Sequence, residues 1–245
     1  MRRMLVFLLV GVAAGWSQNA REILQRAENA IKGKSSHAIL EMIVQRPEFT
    51  RRLKMESWWV GNQKALIVIL EPAREAGNKT LKVGNEMWNY LRNTETVIKI
   101  PPSMMLQSWN GSDFTNDDLV RESNLVRDYQ VTLAGTDTVE GQPCWLLELR
   151  PRPEAPVVWD RLLYAVRKAD YLPARVDYYD ERGRLVRSLL FSEVKKMGGR
   201  TIPTRWVMIN RQKENHRTEI RLLQAEFDIP IPERMFSLRE LERGR

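Results

Sequence analysis

A single cysteine, Cys144, and two histidines, His37 and His216, are all that the 245 residues offer of the side chains used most often for disulfides, metal centres and nucleophilic triads. One cysteine excludes an intramolecular disulfide, so stability has to come from packing. Between Pro143 and Trp145, at the start of an apolar strand, Cys144 reads as a small buried hydrophobe. A zinc site would need Cys144 and both histidines, none of them at ligand spacing. Each histidine sits in an alternating strand pattern, and no Gly-x-Ser-x-Gly elbow occurs. Phosphate-cradling glycine loops are missing in both common forms. Asp117 and Asp118 are adjacent rather than facing, which suits helix capping better than acid–base work. No catalytic residue, metal or cofactor is expected, and an enzyme is the least favoured class.

Long apolar runs are also absent. None reaches the roughly 20 residues of a membrane span, and the longest beyond the N-terminus covers residues 65–70. The run at 5–14 follows Arg2 and Arg3, and the small residues Ala13, Ala14, Gly15 and Ser17 at and just past its end offer cleavage points. That pattern points to an export signal over residues 1–17, leaving a single domain at 18–245; an uncleaved N-terminal anchor is the alternative. No cysteine follows the run to carry a lipid, so a soluble periplasmic chain is expected. Charge does not cluster either. Thirty-nine basic residues stand against 31 acidic ones, for a formal net charge of +8, without a basic run of five. Such an excess favours anionic membrane surfaces or acidic partners, whereas a nucleic-acid interface would need the cations on one element.

What is present is strand pattern and large apolar side chains, including eight Trp and ten Met. Residues 21–32 place Ile23, Leu24, Ala27 and Ile31 on one helix face, closed by Gly33. Beyond that, Leu40, Met42 and Val44, and then Leu53, Met55, Ser57 and Trp59, alternate with polar residues. Glycine turns recur, and further strands are predicted at 130–139, 143–150, 159–167, 174–179, 185–194, 201–211 and 217–227. Residues 63–70 are apolar on both faces, so both must be covered. A second sheet in a solid sandwich would cover them as well as a guest in a container would.

One segment breaks the meander. Residues 101–110 begin with two prolines and carry Met104, Met105, Leu106 and Trp109. Phe114 follows, then Thr115 as a plausible N-cap with Asp117 and Asp118 in the first turn of a short helix. The tail beyond Pro232 suggests another short helix, with Met235, Phe236, Leu238 and Leu241 on one side.

With Leu70-Glu71-Pro72-Ala73-Arg74, Met87-Trp88-Asn89-Tyr90-Leu91, Ile98-Lys99-Ile100, Gly111-Ser112-Asp113-Phe114, Gly141-Gln142-Pro143-Cys144, Leu172-Pro173 and Pro203-Thr204-Arg205, the chain resembles the LolA-like outer-membrane lipoprotein-sorting proteins of Gram-negative bacteria. The resemblance implies a mainly β fold: an incomplete antiparallel β-barrel of roughly eleven to thirteen strands, with an N-terminal helix and a short helical lid. It implies a periplasmic carrier of the acyl chains of lipoproteins or other lipids. Partners would be an inner-membrane transporter and an outer-membrane acceptor, with peripheral membrane contact. Carriers of this kind hold the lid with an arginine on an early strand, and Arg46, Arg51 and Arg52 all stand near that place. On this reading Leu40, Met42, Val44, Leu53, Met55, Trp59, Trp88 and Tyr90 line a lipid-binding cavity. Met104, Met105, Leu106, Trp109 and Phe114 cover it, with a hollow beneath residues 101–114. The alternative is a periplasmic sensor or regulator, or an accessory subunit of a lipid exporter, using the same fold to bind a protein.

Overall fold

The computed structural model describes residues 10–121, 125–155 and 157–243. Most of the expected export signal, residues 1–9, lies outside them. Helix α1 (Val10–Lys32) is continuous and so begins well before the amphipathic stretch read at 21–32. Its buried face carries Ala20, Ile23, Leu24 and Ala27. Gly33 ends it at a φ of 65°, the left-handed conformation that a residue without Cβ adopts most cheaply. Among the described residues, no helix is long and apolar enough to cross a membrane.

Thirteen strands form one antiparallel sheet. The first meander is β1 (Ser35–Gln45), β2 (Thr50–Val60), β3 (Lys64–Glu71), β4 (Lys79–Val83), β5 (Glu86–Leu91) and β6 (Thr96–Lys99). The second is β7 (Tyr129–Val139), β8 (Gln142–Pro151), β9 (Arg161–Arg167), β10 (Pro173–Tyr179), β11 (Leu185–Met197), β12 (Arg200–Asn210) and β13 (Arg217–Phe227). Within each meander every strand pairs with its neighbour in sequence, and the two join where β1 meets β13. Strands β6 and β7 are the free edges and do not pair, so the barrel stays incomplete, as expected.

This topology fixes where a lid must be. Residues 100–128 connect the two free edges in sequence, and residues 100–119 lie across the inner face. The connection contains two 3₁₀ turns, Pro102–Met104 and Trp109–Gly111, then α2 (Asn116–Arg121) and α3 (Leu125–Asp128).

Period-2 alternation divides the sheet into an inner and an outer face. On the inner face Leu40 pairs across from Met55, and Met42 from Leu53. One inner cluster gathers Met42, Val44, Leu53, Met55, Ile67, Ile69 and Met87 from the first meander. The other, centred on Leu147, Leu149, Leu162, Tyr164, Val176 and Leu189, belongs to the second meander and lies under α1. Ile220 on β13 touches both. The outer face of β2–β5 has its own row, Trp58, Leu66, Leu81 and Trp88, in cross-strand register. The C-terminal tail covers that row: Phe236 from the 3₁₀ turn Glu233–Phe236 and Leu241 from α4 (Leu238–Glu242) are buried in it. Two covers explain why β3 is apolar on both sides.

Candidate functional site

Strands β1–β3 and β5 turn an apolar wall inward, interrupted at β4 by the inward Thr80 and Lys82. Leu40, Met42, Val44, Leu53, Met55 and Trp59 all join it, as the alternation predicted. Trp88 and Tyr90 do not. Their neighbour Met87 is the inward residue of β5, so both aromatics point to the outer face and pack with Trp58, Phe236 and Leu241. In a strand covered on both sides, apolar character no longer distinguishes inside from outside.

The cover sits directly on this wall. Met105 and Trp109 are buried in the same cluster, with Met104 packed against it. Phe114 reaches past them into the cluster beneath α1. Leu106 turns away and is 55% exposed, so it covers nothing. In place of the expected ready-made hollow, the lid's own side chains fill the space over the wall. A separate cavity toward the second meander, beside Asp117, Leu125 and Trp159, measures about 20 Å³, roughly what one water needs.

Polar side chains fasten the cover at three places. Arg46, just after β1, pairs with Asp113 at 2.8 Å and donates to the Gly111 carbonyl at 2.9 Å. Thr218 on β13 completes that latch: its Oγ1 donates to Asp113 Oδ2 at 2.7 Å and accepts the Asp113 amide at 2.9 Å. Arg51 on β2 donates to the Asn110 carbonyl at 2.7 Å while pairing with Glu75. Arg187 on β11 grips Asp118 with both terminal nitrogens, donates to the Asp113 carbonyl at 3.2 Å, and lies over the rings of Trp159 and Tyr178. Arg52 faces outward to Glu41 and is excluded from the lid. Two of the three candidate early arginines therefore hold the cover.

Asp118 has a second task. Its Oδ2 accepts the Thr115 amide at 2.7 Å and its own amide donates to Thr115 Oγ1 at 3.2 Å, a capping box that starts α2. The N-cap was legible in the sequence, but Arg187 was not: it stands 69 positions away and enters only through the fold. Trp109 is fixed by its indole, which donates to Thr80 Oγ1 at 3.2 Å; Thr80 in turn donates to Asn89 at 2.8 Å. Cys144 is fully buried, and burial raises the pKa of its thiol, so it packs as a hydrophobe. Among the described residues no group of three or more His, Cys, Asp or Glu is placed to hold a metal ion.

Residues 61–243 match a family model described as an uncharacterized protein. No curated protein matches the sequence. Several solved structures are similar over nearly the whole length. A DUF1329 family protein from Desulfovibrio piger is 25% identical, with a TM-score of 0.83 over 92% of this chain and 99% of that one. An outer membrane lipoprotein-sorting protein domain from Vibrio parahaemolyticus is 23% identical, with a TM-score of 0.81 over 93% of this chain and all of that one. A LolA superfamily protein from Nitrosomonas europaea is 21% identical, with a TM-score of 0.75 over 90% and 98%. The last two share the fold.

Proposed function

We propose that this chain, which belongs to the family whose model matches residues 61–243 and shares the fold of a LolA superfamily protein and a lipoprotein-sorting domain, is a LolA-like periplasmic carrier whose inner wall on β1–β5 takes the acyl chains of lipoproteins or other lipids when residues 100–121 move aside. One observation carries this reading. The cover over the apolar wall is the connection between two unpaired edges, and it is fastened by side-chain latches instead of strand pairing. Unfastening it breaks few backbone hydrogen bonds and leaves the sheet intact.

Magnitudes favour exchange of lid for lipid. Withdrawing Met105 and Trp109 from the wall costs about 2–3 kcal/mol each in lost burial. A lipid contributes ~0.8 kcal/mol for each methylene it brings out of water. A chain of about a dozen methylenes then offsets the lid side chains and leaves several kcal/mol for the latches. Methionine suits such a wall because its unbranched, polarisable side chain adapts to guests of different shape. Handover would run from an inner-membrane transporter to an outer-membrane acceptor, in keeping with lipoprotein sorting.

The reading is tested by titrating delipidated protein with a fluorescent fatty-acid probe. Saturable binding, displaced by unlabelled acyl chains and strengthened by Trp109→Ala, is the expected result. A wild-type chain and a Trp109→Ala variant that are both folded and both indifferent to the probe would dismiss the carrier.

A further inference from the structure

A polar cleft of about 410 Å³ lies between α1, the β2–β3 turn and α3, apart from the lid. Helix α1 lines it with Arg21, Gln25, Glu28, Asn29 and Lys32, at the spacing of one helix face, so one acidic residue stands among the cations. Gly61 and Asn62 of the turn form another wall, and Arg127 on α3 stands across from the helix. Lys82 sits behind the turn. It is on the inner face of β4, in register between Ala65 and Met87, fully buried, with its ammonium donating to the Asn62 carbonyl.

Charge around the cleft does not balance. Four cations, Arg21, Lys32, Lys82 and Arg127, are met by two carboxylates. Glu28 is engaged by Lys32 and by the Tyr164 hydroxyl at 3.1 Å, and Asp128 by Arg127 at 2.7 Å. Desolvation, and next the nearby Lys32 charge, lower the pKa of Lys82 to about 8. A field of that sign in a water-filled recess concentrates anions. Arginine and lysine, together with the Asn29 amide donors and the one Gln25 amide hydrogen left beside its 3.0 Å bond to Asn29 Oδ1, match a tetrahedral oxyanion better than a planar carboxylate, since donors converge from several sides.

We propose that this cleft is a binding site for a phosphate group, either as part of a lipid headgroup or as a free phosphate ester. The cleft has room for the phosphate and part of what it is attached to. Met87, beside Lys82 in register, also belongs to the apolar wall, so a headgroup held here keeps its chains within reach of that wall. The site itself does not depend on whether the wall takes acyl chains.

Isothermal titration calorimetry on the full chain at fixed ionic strength tests it, with inorganic phosphate, dihexanoyl phosphatidic acid and phosphate-free dihexanoylglycerol as probes. Binding of phosphate and phosphatidic acid assigns the site to phosphate in general, and binding of phosphatidic acid alone assigns it to headgroups. In either case affinity falls at least tenfold in the double variant Arg21→Glu, Arg127→Glu. Gln25→Glu, a single exposed change that adds one negative charge, provides a second variant should the double one fold poorly, and it too must weaken binding several-fold. The proposal is overturned if neither phosphate ligand binds, if dihexanoylglycerol binds as well as phosphatidic acid, or if folded variants bind like the wild type. A chain that binds phosphate yet ignores the fatty-acid probe would keep this site and lose the carrier.

Discussion

The two halves of the inner face are covered in different ways. Over the second meander lies α1, one long helix whose Ala20, Ile23, Leu24 and Ala27 merge into the core beneath it. Over the first lies a run of short turns that buries Ile100, Met105 and Trp109 in the wall and Phe114 in the neighbouring cluster, and is latched mainly by arginines. The helix is bound mainly by apolar burial distributed along its length, which is lost only when the domain unfolds. The connection concentrates its attachment in a few charged contacts, each of which a competitor or one substitution can undo. A permanent cover and a removable one are thus built on a single sheet.

That contrast breaks first at the helix if it is wrong. Leu24→Ala should cost about 2–5 kcal/mol of global stability, as large-to-small changes in a full core do, seen as a lower urea midpoint. Arg187→Met should cost less globally while abolishing amide protection over residues 104–118, because it leaves the buried Asp118 carboxylate without its cation. Hydrogen exchange separates the two: protection in α1 should survive Arg187→Met. Equal loss in both segments would mean that the covers are one cooperative unit.

Lys82 sharpens the comparison at the margin of the first meander. Its pKa in the folded chain, about 8, lies below the 10.5 of a free lysine. Between those values the unfolded chain binds the extra proton, so stability rises as pH climbs from about 8 to about 10.5, by up to ~3 kcal/mol. Urea midpoints at pH 8 and pH 10 measure the slope, and Lys82→Met should flatten it. An unchanged slope in that variant would assign the effect to other groups. The smallest effect is expected at Arg52→Ala. This arginine meets Glu41 at 3.5 Å with 61% of its side chain exposed, and such surface pairs contribute under about 1 kcal/mol. Lid protection should be unaltered there, but reduced by Arg46→Ala.

The strands were legible because alternation is a local property. The predicted segment 217–227 is β13, and 174–179 and 185–194 fall within a residue or a few of β10 and β11. The wall residues of β1 and β2 followed from the same period. It failed at Trp88 and Tyr90 because the tail covers the outer face of β5, and both of its faces are then apolar for good reason. The filled lid escaped the sequence as well: Met105 and Trp109 suit a roof and a plug equally, and only coordinates tell which they form. The latches depend on contacts such as Arg46 with Asp113 and Arg187 with Asp118, 67 and 69 residues apart. Charged residues of this kind are indistinguishable from solvated ones until the chain is closed on itself.

The tail on the outer face has a mechanical consequence. Phe236 and Leu241 clamp β2–β5 from behind, with Lys79 tying β4 to the carbonyls of Glu240 and Arg243. Braced on that side, the strands resist bowing outward to create volume. Space for anything entering from the front must then come from displacement of the roof, and residues 232–243, remote from the wall itself, set how stiff the surface is that a guest would press against.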